Sequence, residues 1–483
     1  MNQLIFSLRQ YTVPLIGVSF ASLTVISFYL GIVPLLALPF GIALGLFTAF
    51  QIRPVYFLLL CSIPLSTEIY ISSSLGTDLP DEPLMILLTG VSLLWMLGEK
   101  KAFRSSVLTA PLTVLLLLHY GWFLISGLQS VNPLVSFKIF LAKTWYIVPF
   151  YFLTHFIIRK EKDVVMLFWC LFIPTSITII QTMLRHGLLY GFSFEDINKC
   201  TEPFYRNHVN YAALISVVFP LLLWAASHYP RGSGKRYLLI GFIVLFVAAI
   251  WFSFTRTCML ALLCIVPVML VIRYRLSRII LPAVLIAAGL LIYQLADDYY
   301  YLRYAPDFNT TIYHDEFGDH MASTFEGKDV SSMERIYRWI GAARMFADRP
   351  IAGFGAGNFY PYYKQYTVSS FETWISDNPE RSTVHNYFLL LLCEQGIVGF
   401  LIFLALCCMV FLAGETYYHQ AQHQKQKRFI LFMLVGLAMV FVNILLSDML
   451  ESDKVGPFFF LYLSLLVSAG QGAISFKEEG EQG

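Results

Sequence analysis

Long apolar runs separated by short polar turns recur along nearly the whole chain, and at about 20 residues per membrane crossing the pattern marks fourteen candidate spans. They cover residues 12–29, 32–50, 54–70, 83–97, 109–127, 141–158, 163–184, 209–227, 237–253, 257–272, 279–295, 385–412, 429–446 and 456–471. One interval breaks the rhythm. Residues 296–384 are too polar to cross a bilayer and too long for a plain connector, which predicts a small folded unit outside the membrane. Within it Ser331 and Glu334 are spaced as a capping box, and Ile336, Trp339, Ile340, Ala343 and Phe346 follow at helical spacing. An amphipathic helix is expected from about Ser332 to Asp348, stopped by Pro350. Gly353, Gly355 and Gly357 come next. They follow a helix and a proline rather than a strand, so they read as a tight backbone turn leading back to the membrane, not as a nucleotide loop. The expected divisions are an N-terminal helix bundle over 1–295, the external unit over 296–384, C-terminal spans over 385–471 and a tail over 472–483.

Composition agrees. The chain is 57% hydrophobic and only 13% charged, which fixes the class as an all-α polytopic integral membrane protein, with about 12–14 helices and one large external loop. Seven of the eight cysteines lie in or at the edge of apolar runs, so no disulfide framework or zinc spacing follows. The N-terminus, with Arg9 before a long apolar stretch and no small-residue cleavage site, reads as an uncleaved first span. Nothing points to nucleic acid, a metal or a cofactor.

Charge distribution adds sidedness. Arg9, Arg53, the cluster Lys100, Lys101 and Arg104, then Arg159, Lys160 and Lys162, then Arg231, Lys235 and Arg236 fall in alternate loops. The same set continues with Arg273, Arg275 and Arg278, then Lys425, Lys427 and Arg428, and Lys477. By the positive-inside rule these loops and both termini are cytoplasmic, and the segment 296–384 is external.

External arginines then need an explanation that topology does not give. Arg206 lies where an external loop enters a span, Arg256 sits in a very short external turn, and Arg335 lies in the first turn of the amphipathic helix. Each has an ordinary alternative, as a helix cap, an interfacial anchor or a solvated side chain. Three guanidinium groups at one membrane face also match a diphosphate, because the planar fork stays cationic at any working pH. His385 opens a span at the same level and has the right chemistry to accept a proton from an alcohol. Ser382 and Asn386 stand beside it as groups that could orient it. Glu394 lies nearly on the opposite face of the same helix and is expected to pack elsewhere. Arg338 and His208 complete the supporting set. Glu68, Asp448, Glu451 and Asp453 are external acids that could bind sugar or simply be solvated.

The run RIYRW followed by ARMFADRPIAGFGAGNF, then HNYFLLLLCEQGIVGF, resembles the shared core of the bacterial O-antigen ligase superfamily, which also holds O-antigen polymerases and protein O-oligosaccharyltransferases. The likeness is densest over about 331–400 and extends to RNHVNYAAL near 206 and SFTRTCMLA near 256. It implies an inverting, metal-independent glycosyltransferase of the bacterial inner membrane with its active face periplasmic. The donor would be a glycan on undecaprenyl diphosphate and the acceptor a hydroxyl, foremost that of lipid A-core. The family's histidine maps onto His385, and its arginines onto Arg335, Arg256 and Arg206. Fourteen spans exceed the dozen or so usual for the ligases. A polymerase and a protein oligosaccharyltransferase are the alternatives within the class. A transporter of the same lipid predicts charges deep in several spans and an internal repeat, neither of which the sequence offers.

Overall fold

The computed structural model describes residues 37–72, 75–98, 107–297, 330–373, 375–378 and 381–476, with the isolated positions Ser22, Val25 and Tyr301. The first expected span, the basic cluster at 100–104, the middle of the polar segment and the tail from 477 lie outside the described residues.

Helices α1 (Ala37–Phe50) and α2 (Ile52–Ser62) meet at Gln51, whose backbone (φ −136°, ψ 59°) leaves the helical region, and the chain bends there by 119°. Helix α2 then runs through a 3-10 turn at Ile63–Leu65 into strand β1 (Thr67–Ser72), paired antiparallel with β2 (Leu75–Leu79). The span expected over 54–70 therefore ends early. Pro64 stops the helix, and the alternation Thr67, Ile69, Ile71 suits a hairpin better than a further turn of helix.

Next come α3 (Asp81–Gly98), α4 (Pro111–Leu128) and α5 (Pro133–Ile147), which continues through a π-turn at Val148–Leu153. Helices α6 (Glu161–Tyr190), α7 (Ile197–Thr201), α8 (His208–His228), α9 (Gly234–Phe252), α10 (Arg256–Arg273, broken at Cys264) and α11 (Ser277–Ala296) follow. Helix α12 (Val330–Asp348) is the amphipathic one, and α13 (Tyr387–Gln420), α14 (Gln424–Leu445) and α15 (Gly456–Gly470) close the order. Among the described residues eight helices are long and apolar enough to cross a membrane, nine if the bent α1–α2 pair is one span, and α15 is apolar but shorter. The protein is a polytopic membrane protein of the all-α class, with the β1–β2 hairpin as the one sheet among the described residues.

Burial sorts these helices. Helices α8, α14 and α15 form the centre, with every residue of α15 from Gly456 to Ala469 buried. Hydroxyls lace it to its neighbours: Tyr462 donates to the Val217 carbonyl at 2.6 Å and Ser464 to that of Tyr151 at 2.7 Å. Helix α11 lies at the edge and turns Ile279, Val284, Ile286 and Leu291 outward. A helix apolar all round suits a lipid environment.

One irregularity positions everything that follows. Helix α13 breaks at Gly396 (φ 67°, ψ −170°), which frees backbone groups that water cannot satisfy in a bundle. The turn after α12 fills the break: Phe354 N–H donates to the Cys393 carbonyl at 3.0 Å, Gly355 N–H to that of Glu394 at 2.8 Å, and Ile397 N–H to that of Pro350 at 2.8 Å. Helix α4 adds Ser126 to the Ala352 carbonyl at 2.9 Å and the Trp122 indole to that of Gln395 at 2.9 Å. A Cβ on Gly355 (φ 87°) would sit 2.2 Å from the Ser130 Cβ, and one on Gly396 would sit 2.2 Å from the Ile351 oxygen. The glycine run is this docked turn.

Candidate active site

Helix α12 begins at Val330, so Ser331 falls within the first turn and Glu334 is not the partner of a capping box. Glu334 is buried and instead accepts from Arg338 Nη2 at 3.2 Å, from the Thr373 hydroxyl at 2.5 Å and from the Ser376 hydroxyl. Arg338 reaches on to the Thr383 carbonyl at 3.5 Å, and the neighbouring Trp339 indole donates to the Val384 carbonyl at 3.1 Å. The two residues before His385 are thus gripped from α12.

His385 itself holds left-handed backbone (φ 56°), as do Asn378 (φ 50°) and Arg381 (φ 55°) earlier in the same connector. Such positions cost roughly 1 kcal/mol or more each for residues with a Cβ and persist only where surroundings fix them. Asn378 supplies part of that fixing, accepting from Ser382 N–H at 2.9 Å and donating to the Ser382 carbonyl at 2.8 Å. Asn386 is occupied as the N-cap of α13, accepting from Leu389 N–H at 3.0 Å. Neither Ser382 nor Asn386 orients the imidazole through a described contact. The carboxylate beside the imidazole is that of Asp448, whose Oδ1 lies 3.8 Å from His385 Nδ1 while its Oδ2 accepts from the Thr383 hydroxyl.

Burial, which disfavours imidazolium, lowers His385 to about 4; Asp448 opposes this, and the cations Arg338 and Arg335 reinforce it. The ring is therefore neutral at physiological pH, with Nδ1 toward the carboxylate and its side chain about one-third exposed.

Asp448 sits in the turn between α14 and α15, and that turn is pinned on several sides. Lys143 of α5, itself buried, donates to the Leu450 carbonyl at 2.8 Å and pairs with Glu451 at 2.9 Å. The Tyr146 hydroxyl donates to Asp453. Lys454 is buried against the Ser66 carbonyl at 2.6 Å and that of Phe204, over the Tyr205 ring. Around it, desolvation pushes Asp81 up to about 7 and Asp453 to about 6. Glu451 and Asp453 are thus parts of a packed network.

The three arginines separate. Arg335 and Arg338 act on His385 electrostatically. Arg256 is half-buried at the start of α10, where the adjoining Thr255 hydroxyl donates to the His208 carbonyl at 3.5 Å and Cys258 donates to Asn443 at 3.3 Å near the end of α14. That places it at the end of the bundle where Asp448 lies. Arg206 is exposed and acts on Asp78 of the hairpin together with Lys454. His208 is held by the Asn198 side-chain oxygen, 2.9 Å from its backbone N–H and 2.7 Å from Nδ1. Glu394 is buried away from His385, accepting from Phe359 N–H at 3.0 Å in the docked turn.

A neutral imidazole with a carboxylate 3.8 Å from one nitrogen and cations acting on it can take a proton from a hydroxyl and tolerate an anionic leaving group nearby. The Asp448 pairing was not legible in sequence, because no spacing rule links two turns so far apart. The Glu334–Arg338 pair had a signal, the four-residue spacing on a helix, which the capping-box reading of Glu334 passed over. Among the described residues no cluster of His, Cys, Asp and Glu could hold a metal ion.

Residues 241–404 match the family model described as O-antigen ligase, an interval that runs from α9 through α12 and His385 into α13. No curated protein matches the chain.

Proposed function

We propose that this chain, a member of the O-antigen ligase superfamily, is a glycosyltransferase that moves a glycan from undecaprenyl diphosphate to a sugar hydroxyl of lipid A-core at the periplasmic face of the inner membrane. The observation that carries the reading is the His385–Asp448 pair set under Arg335 and Arg338. In the reaction the acceptor oxygen attacks the anomeric carbon from the face opposite the diphosphate. Its proton passes to His385 Nε2, the nitrogen turned from Asp448. The bond from the anomeric carbon to the diphosphate oxygen breaks, and the diphosphate leaves with the electron pair, so the configuration inverts.

Each group has a physical task. Asp448 favours the imidazolium that forms. Arg335 and Arg256 stabilise the charge that grows on the diphosphate, the role a divalent cation has in other transferases. Before the donor arrives burial, helped by the charges of Arg338 and Arg335, keeps His385 deprotonated; the diphosphate offsets those charges and strengthens the base when it is needed. Arg206, near the hairpin acids, would meet a more distant part of the donor.

The test is a deletion strain complemented with wild type or His385→Ala at equal membrane abundance, with lipopolysaccharide, glycoprotein and carrier-linked glycan profiled together. Long glycan restored to lipid A by wild type, and left on the carrier by the variant, supports ligation at this site. If the gene instead changes carrier-linked chain length or protein glycosylation, the acceptor is a second glycan or a protein hydroxyl. Full activity of the variant removes His385 from the chemistry.

A further inference from the structure

The Glu334–Arg338 pair is the most buried ion pair among the described residues, with side chains 4% and 6% exposed. Glu334 has three side-chain donors on its two oxygens, and those donors come from two places: Arg338 on its own helix, and Thr373 and Ser376 beyond the docked turn. Arg338 in turn bonds the Thr383 carbonyl, two residues before His385. The pair therefore closes the connector on itself, joining its beginning to its end, and it does so beside the left-handed residue that carries the imidazole.

A guanidinium so placed is a poor ligand for a bulky diphosphate. Reaching one would mean leaving Glu334 as an uncompensated buried carboxylate, which is strongly unfavourable. Arg335, three positions earlier on α12, is only half-buried. We propose that Glu334 and Arg338 are positioning residues, which tie Thr373 and Ser376 to Thr383 and so fix the backbone of His385, while diphosphate contact falls to other arginines. The last clause rests on the proposed transferase reaction; the positioning role does not. The charged groups facing the imidazole are Arg335 and Arg338 from α12 and Asp448 from the α14–α15 turn, so loss of Arg338 alters its field as well as its backbone.

The experiment is carbethoxylation of His385 by diethyl pyrocarbonate, read by peptide mass spectrometry on the full-length protein in detergent between pH 5 and 8. At histidine the reagent acylates only the neutral imidazole, and it needs no substrate. In wild type the reaction is expected to be slow and, once corrected for reagent hydrolysis, independent of pH. Glu334→Gln, nearly isosteric and so the variant that keeps the fold, should raise the rate several-fold across the range. Arg338→Met should raise the rate and bring a titration into the window, moving the midpoint up by about one unit; Arg338→Lys should keep the profile flat. If Glu334→Gln and Arg338→Met both leave rate and profile at wild-type values, the positioning role is overturned.

Transfer kinetics with carrier-linked oligosaccharide and lipid A-core separate the remaining option. Positioning predicts that Glu334→Gln and Arg338→Met lower kcat with the donor KM unchanged. A raised donor KM for Arg338→Met with unaltered carbethoxylation would make Arg338 a ligand instead. Because carbethoxylation needs no turnover, a protein that never transfers glycan to lipid A would sink the functional reading and leave the positioning result standing.

Discussion

Two irregularities, one just before helix α13 and one within it, are built in opposite ways. At Gly396 the break is filled by main chain: the turn around Gly355 gives and receives backbone hydrogen bonds, and glycine's missing Cβ is what lets the strands of chain meet. At His385 the left-handed residue has a full side chain, and its neighbours are held from outside by Arg338, Trp339 and Asp448. The first is saturated and closed to solvent. The second leaves an imidazole one-third exposed with a nitrogen unspent on its carboxylate. An irregular backbone made of glycine serves as foundation; one made of larger residues under side-chain control serves as a working position.

That contrast breaks most visibly at the foundation. Gly355→Val places methyl groups where Ser130 already lies and adds a left-handed β-branched residue, a loss of roughly 3 kcal/mol or more; folded protein recovered by size exclusion from detergent extracts should fall sharply. At the working position, His385→Ala should leave that folded yield intact and reduce transfer by about 10²–10⁴-fold, measured as glycan joined to acceptor per unit protein. Asp448→Asn keeps the shape and removes the charge, so kcat should drop by about 10- to 100-fold with folded yield again unchanged. If Asp448→Asn lowers folded yield as Gly355→Val does, the two regions are not different in kind.

The pH dependence is a finer probe. With His385 lowered to about 4, its neutral, proton-accepting form persists above that value, so kcat/KM should show no acid limb from this group between pH 5 and 8 and should fall only near and below pH 5. The smallest effect belongs to the acids around Lys454. Asp81 is fully buried and raised to about 7, so the folded state binds its proton more tightly than the unfolded chain. Its contribution is complete below about 4 and lost as pH rises through 7. Asp81→Asn, a mimic of the protonated acid, should therefore raise the melting temperature by a few degrees at pH 8 and very little at pH 5.

Hydrophobic runs made the helices legible, and the end of the polar segment announced α12 within two residues of its start. The signal failed where a local rule met a tertiary demand. Ser331 and Glu334 satisfy the spacing of a capping box, but a buried arginine and two hydroxyls bind the carboxylate more strongly than one backbone N–H does. The run 54–70 is apolar enough to span, but composition does not register that Pro64 hands the chain to a hairpin. The sequence pattern groups three arginines as external; that Arg206 acts on Asp78 and Arg335 on His385 depends on helix packing, which periodicity does not encode. Asp448 was visible as one acid among several and only the turn's anchors single it out.

The buried helix α15 has a consequence for biogenesis. It is translated after every other described helix, yet it is buried along its length, and at about 1.5 Å per residue its 15 residues span only ~22 Å. The earlier helices must wait in the membrane around an unfilled core until it inserts. Asp448 is made after His385 and before Gly456, so the nascent chain carries the imidazole for a late stretch of synthesis without the carboxylate that stands near it, and a ribosome stalled between the two would release a membrane-integrated protein that lacks half of the proposed pair.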